Sequence, residues 1–386
     1  MTERSSHRRG FLGSRYYNRV RPIGVTIPVL IACFVTALLA AGTHAQAPKT
    51  AKAAPTPPPA LEILWKSPLP SVSAPAVATN GALVLLTDPR AGLFAYRGED
   101  GSLAWSTPDL TSTMAAGASA AHVAVVSNGA LHILAADTGA RVGRVALDAV
   151  PQQLMVTPAR ALVVFEHEVR AFRPDGTLEW RTAVTSAIVT STAVSGALLF
   201  AGVRPAGIVA IDLATGRQTL TMPTAAEPKS LAVQDGRAFF GGSDRALFGY
   251  EAVRPGAGHW RFALPESVGK PDADTRRVYF AMLDHSARAL DARHGNIQWR
   301  RELPSRPAIG PVLFEDSLAV VLTTGEVLEL AASDGKVRDP QSGTRLPTLS
   351  VKGVAVSKSP PRVATLVKGN DDVFVLYVWG RPKPKG

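Results

Sequence analysis

A glycine returns along this chain at an almost fixed interval. Gly101, Gly139, Gly176, Gly216, Gly256, Gly295 and Gly335 are separated by 38, 37, 40, 40, 39 and 40 residues. In four copies a tryptophan follows four places later: Trp105, Trp180, Trp260 and Trp299. Each glycine sits in a similar phrase, from "LFAYRGEDGSLAW" at the first copy to "ARALDARHGNIQW" at the sixth. Self-similarity at a period near 40 residues means one supersecondary unit repeated side by side, because a single unit of that size cannot bury its own apolar face.

The unit reads as β. Before each turn stands a short apolar run, "LVLLT", "VAVVS", "LVVF", "ALLFAG", "AFFGG", "VYFAM" or "LAVVL". A strand solvated on one face would alternate apolar and polar residues; these do not, so both faces are expected to be covered. In the turn, an aspartate such as Asp212 or Asp291 satisfies local backbone amides, and the glycine accepts a positive φ. The chain then reverses into an outer strand, where a tryptophan covers the neighbouring unit with a large apolar area. Four strands per unit with both faces buried is the blade of an all-β propeller.

Seven glycine turns provide seven outer strands. An eighth set of inner strands follows in "TLSVKGVAVS", "RVATLVKG" and "DVFVLYVWG", which stops at Trp379 with no turn after it. The missing strand lies at the other end of the body, in "LEILW", where Trp65 precedes Trp105 by 40 residues. The expected fold is therefore an eight-bladed β-propeller of four-stranded antiparallel blades, closed by the N-terminal strand. It becomes seven-bladed if the last copy is not a blade. Closure removes sheet edges that would otherwise recruit other chains.

The net charge of +11 is concentrated in the ends. Residues 1–45 carry +5, Lys49 and Lys52 add +2, and Arg381, Lys383 and Lys385 add +3, leaving +1 for everything between. A nucleic-acid-binding domain carries its positive charge as a stripe on the folded body, so no nucleic-acid partner is expected. The organisation read from the sequence is a signal peptide or N-terminal membrane anchor at 1–45, a Pro/Ala-rich linker at 46–60, the propeller at 61–380 and a basic tail at 381–386. An arginine-rich start precedes the apolar run "IGVTIPVLIACFVTALLAAG" and the small residues of "THAQA", which suits cleavage near Ala45. The run is also long enough to span a bilayer uncleaved, its basic side cytoplasmic. "HRRGFLG" resembles a twin-arginine signal, and "LIAC" resembles a lipoprotein signal whose Cys33 would be acylated. The body is expected to be exported to the periplasmic face of the envelope, membrane-anchored or secreted after cleavage near Ala45. Cys33 is the single cysteine, so the exported part is built without disulfides or thiolate metal ligands.

Catalytic signatures are missing from the sequence. There is no GxSxG, phosphate loop, dinucleotide fingerprint or HExxH. The tightest acid and histidine groupings, Glu166–Glu168 and Asp284–His285, lie at expected strand ends and read as solvated turn residues. No catalytic, cofactor-binding or metal residues are assigned. The positions singled out are structural: Trp65, Gly101, Trp105, Gly139, Gly176, Trp180, Gly216, Gly256, Trp260, Gly295, Trp299 and Gly335.

The "ALDxxxGxxxW" pattern, clearest at 289–299, resembles the repeat of quinoprotein-type propellers over about 61–380. That group includes dehydrogenases dependent on pyrroloquinoline quinone (PQQ) and scaffolds of the BamB type in outer-membrane β-barrel assembly. The dehydrogenase branch implies a vicinal cysteine pair, long inserts and an acidic residue beside calcium; this chain has no cysteine after Cys33 and short inter-blade loops. The scaffold branch implies no cofactor, no enzymatic activity, a periplasmic location and protein partners in the envelope, among them a β-barrel assembly component. The alternative from the same resemblance is an enzyme or sensor with a quinone or other small ligand in its central channel.

Overall fold

The computed structural model of the chain describes residues 59–69, 71–251, 258–338, 350–369 and 371–382. Cys33, the 1–45 segment, most of the linker and Gly256 lie outside the described residues.

The strands form eight antiparallel sheets, seven of four strands and one of three. Blades 1 to 7 follow one another along the chain, beginning with Ala76–Thr79, Leu83–Asp88, Gly92–Arg97 and Leu103–Thr107, ordered from the axis outward. In blade 7, the three-stranded one, the fourth position is marked among the described residues by a bridge between Leu330 and Val337. Blade 8 is built from both chain ends: Ser350–Lys358, Pro361–Lys368 and Phe374–Gly380 are completed by Glu62–Leu69. That N-terminal strand pairs antiparallel with Phe374–Gly380, from Glu62 opposite Gly380 to Leu69 opposite Phe374. The expected eight-bladed ring and its closure are both present.

A repeated irregularity confirms the equivalence of this borrowed strand. In the outer strands of blades 1, 3 and 6 the residue just before the tryptophan is skipped in the pairing, leaving Ala104, Glu179 and Gln298 as bulges. Leu64, just before Trp65, is skipped in the same way. A bulge adds local twist, and here it recurs at one repeat position.

The core is divided among eight seams rather than gathered at a centre. In Leu83–Asp88, Leu83 and Leu85 pack toward blade 2 while Val84 and Leu86 pack toward blade 8. All six residues of that strand are buried, which is why its sequence does not alternate.

At five seams an indole closes the contact. Trp65, Trp105, Trp180, Trp260 and Trp299 lie over Gly101, Gly139, Gly216, Gly295 and Gly335 of the following blade. Each indole nitrogen donates to a carbonyl of that turn: Gly98, Ala136, Leu213, Ala292 and Ala332, at 2.8–3.2 Å. At Gly216 φ is +72°, and a methyl group built on it would stand 2.6 Å from the Trp180 ring. The position therefore demands glycine twice, for its backbone and for the ring above it. The turn is held by Asp212, whose Oδ1 accepts from the amides of Ala214 and Thr215 at 3.1 and 2.8 Å. Asp291 does the same for Arg293 and His294 at 2.9 and 2.8 Å.

Two of the other three seams lack the indole for visible reasons. Gly143 occupies the tryptophan position of blade 2, where a methyl group would meet the carbonyl oxygen of Pro174 at 2.6 Å. The next turn's backbone fills the space itself, and Gly176 packs beside Arg144 and Val145. Between blades 4 and 5, Phe200, Phe240 and Phe248 form the core instead, with Phe240 stacked on Phe248 at 4.9 Å.

One sequence expectation is corrected. Glu166 and His167 are exposed, but Glu168 is buried, because the strand Glu168–Phe172 starts immediately after the hairpin tip. Its carboxylate is ion-paired with Arg170 and Arg181, and Arg170 also reaches Asp148 at 2.6 Å and lies over Phe165. Asp284 is half-buried and paired with Arg288 at 2.6 Å, while His285 is exposed.

Both ends of the propeller converge on another buried carboxylate, Glu329 of blade 7, whose side chain is 1% exposed. The Leu61 amide donates to its Oε2 at 2.7 Å, and the Arg381 guanidinium lies 3.1 Å from its Oε1. Arg381 also donates to Ser317 Oγ at 3.1 Å, so this first residue of the expected tail is folded onto the ring.

Two outcomes follow from the seams and this latch. Trp180→Ala should cost about 3 kcal/mol in urea unfolding, and Gly216→Ala should be destabilising through clash and positive φ. Because the first substitution removes the ring that the second strikes, the double variant should cost at least about 1 kcal/mol less than the sum. Glu329→Ala should cost about 3 kcal/mol by the same measurement, since it leaves the mostly buried Arg381 without its carboxylate.

Candidate functional site

The inner strands surround the propeller axis and set what the channel can offer. They contribute small and apolar residues, as in Ala76–Thr79, Gln153–Val156, Ala193–Ser195 and Val312–Phe314. Neighbouring inner strands are tied by side chains that bridge to backbone. Asn80 Nδ2 donates to the Ser119 carbonyl, Gln153 Nε2 to the Thr190 carbonyl at 2.7 Å, and Ser230 Oγ to the Gly269 carbonyl at 3.2 Å. Such links satisfy polar groups and fix one blade against the next.

Within the ring is a cavity of about 460 Å³, bounded by Met155, Val194, Leu231, Ile309, Val312 and Val356 among others. Three charged residues interrupt this apolar wall: Lys270, Asp272 and Lys358. Asp272 joins three blades. From blade 6 its carboxylate accepts the Ala273 amide at 2.9 Å and, across the seam, the Leu313 amide of blade 7 at 2.9 Å. It also pairs with Lys358 of blade 8, whose Nζ lies 2.9 Å from Oδ1 and 2.7 Å from Oδ2. Close backbone packing supports the arrangement, since a methyl group on Gly310 would collide with the Lys270 carbonyl oxygen at 1.9 Å.

Lys270 has no ion-pair partner within 4 Å among the described residues. Its side chain is exposed to the lumen, with the wall of the ring close around it. The resulting desolvation depresses its pKa from the usual lysine value; repulsion from Lys358 adds to the effect and attraction to Asp272 opposes it. The cluster therefore carries one neutralised pair and one uncompensated amine.

Elsewhere, the face formed by the inter-blade connectors and the hairpins between second and third strands exposes apolar side chains. Met114 is 59% exposed, and the register slips around it at the start of the blade 2 inner strand. Val150 is 69% exposed in the connector to blade 3, and Leu283 is 52% exposed in the blade 6 hairpin. A bulge re-aims its residue, so Met114 is directed outward where regular pairing would have kept it on the inner wall. The Gly–Trp turns occupy the opposite face, as an antiparallel four-stranded blade requires.

None of the described repeat positions singled out in the sequence contributes to the channel cluster or to these exposed apolar positions; Gly256 lies outside the described residues. Trp65, Trp105, Trp180, Trp260 and Trp299 and the glycines they cover belong to the seams. No residue pattern signals Lys270, Asp272 and Lys358, since Asp272 and Lys358 are 86 positions apart. Among the described residues there is no grouping of three or more His, Cys, Asp or Glu that could hold a metal ion.

Replacing Asp272 with asparagine removes the attraction that supports the charged form of Lys270. The pH profile of Lys270 acetylation, read by mass spectrometry, should then move to lower pH; an unmoved profile would show that Asp272 does not act on the amine.

Comparison with known proteins places this geometry. The family described as outer membrane protein assembly factor BamB matches at residues 165–254 and 218–380, two overlapping registers of one repeat. Among solved structures, BamB from Moraxella catarrhalis superposes with a TM-score of 0.62 at 17% identity, covering 85% of this chain and 99% of that one. Saccharomyces cerevisiae Sqt1 gives 0.65 at 12% identity, with 83% and 99% covered. The C-terminal WD40 domain of Sif2 gives 0.63 at 10% identity, with 83% and 98% covered. At these identities the structural likeness establishes the fold. No curated protein sequence matches significantly. The family match spans more than half of the chain, and with a closed ring of eight blades beneath it, the chain belongs to the family of the outer membrane protein assembly factor BamB.

Proposed function

We propose that this protein is a non-catalytic scaffold of the bacterial cell envelope, exported to the periplasmic side and held near a membrane by its N-terminal segment. Its partners are proteins, with a component of outer-membrane β-barrel assembly as the favoured one. The observation that carries this reading is the connector face, where Met114, Val150 and Leu283 stand exposed on a ring braced at every seam. Exposed apolar side chains on one face of a rigid body can serve as anchors for another protein. The family supports the envelope assignment, and the 1–45 segment, with cleavage near Ala45 or acylation of Cys33, supports export.

The mechanism is geometric. A rigid platform lowers the ordering cost of its partner and fixes the partner's orientation, so affinity comes from a few anchors rather than from a change of shape. Outer strands such as Leu103–Thr107 and Leu178–Ala183 also present edges to which an extended segment can add.

The test is co-purification from envelope membranes with identification of the β-barrel assembly component. Met114→Glu with Val150→Glu should lower recovery by about tenfold or more while leaving the thermal midpoint within a few degrees of wild type. Full recovery by the double variant would exclude this face. A bound chromophore with dye-reducing activity after incubation with PQQ and calcium would replace the scaffold reading with the quinoprotein one.

A further inference from the structure

We propose that the central channel is a binding site for a small monocarboxylate with an apolar body, received by Lys270. This goes beyond the scaffold reading and does not depend on it. The cavity of about 460 Å³ lies within the range of small-molecule sites. Its wall is mostly apolar, formed by side chains such as Met155, Val194, Leu231, Ile309 and Val356. Such a wall favours a hydrocarbon or ring body and disfavours a highly charged ligand.

The charge arithmetic fixes the head group. Asp272 is fully committed: two backbone amides and the Lys358 ammonium occupy both of its oxygens. Lys358 is neutralised by the same contact. Lys270 faces the lumen with no anion within 4 Å among the described residues, so the cluster holds one surplus positive charge beside an apolar wall. A single carboxylate balances it; a dianion would leave the surplus negative, and a cation would meet two ammonium groups. The depressed pKa of Lys270 agrees with a charge lacking its counterpart.

The site makes a prediction of mixed sign, which general hydrophobic adsorption does not. Titration of the full chain with octanoate, followed by calorimetry, should show one site per chain, with 1-octanol and octylamine binding at least about tenfold more weakly. Lys270→Met should weaken octanoate binding by about tenfold or more. Lys358→Met should also weaken it, because Asp272, released from its partner, turns its charge toward Lys270. Asp272→Asn should strengthen it by leaving two ammonium groups for one anion. In the unmodified chain, octanoate should shield Lys270 from acetylation while the other lysines label at unchanged rates, a readout that needs no variant to fold. The proposal is overturned if octanoate and octanol bind alike, if Asp272→Asn and Lys270→Met shift affinity in the same direction, or if octanoate leaves Lys270 labelling unchanged.

Discussion

The contact between an indole and the glycine of the next turn underlies the rest of this structure. It meets two demands with one residue pair. The glycine lets the turn take a positive φ, and the bare α-carbon lets the ring lie flat against backbone while its N–H reaches a carbonyl of the same turn. A tryptophan buries some 200 Å² in such a place, and its polar edge is satisfied rather than stranded. The contact recurs at five of the eight seams, and backbone or phenylalanine packing takes its place at two others, so the blade faces are covered around the circle.

This explains how much of the molecule could be read from its residues. The seams were legible because their physics is local and periodic. A turn needs Asp and Gly at set offsets, and the ring must arrive on the strand that follows. Even the absent tryptophans carry information: Gly143 stands where backbone from the next blade approaches, and the phenylalanines of the fifth blade fill the seam before it. The burial of Glu168 was hidden, since its partners Arg170 and Arg181 meet it only through strand pairing. The channel trio was equally hidden, because closure of the ring, not spacing along the chain, brings Asp272 to Lys358.

Charged groups inside the body divide into two kinds. Glu168 and Glu329 are surrounded by arginines and serve to fix strands and chain ends, which is how a buried carboxylate is tolerated. Lys270 is different, lining the lumen without a counter-ion within ion-pair distance among the described residues. An arrangement that serves only stability would compensate such a group or place it outside, so the lumen, rather than the seams, is where the body departs from a purely architectural solution.

The strand Glu62–Leu69 finds its partner in Phe374–Gly380, some three hundred residues later. During synthesis that strand emerges well ahead of its partner and must wait, unpaired, until nearly the whole polypeptide has left the ribosome. Joining ends so far apart carries an entropic cost of about 5 kcal/mol, met only when Trp65 and Leu61 settle together with the last strand. A truncated product therefore carries an open edge at each terminus and is prone to aggregate, so the position of one short strand makes biogenesis an all-or-none event.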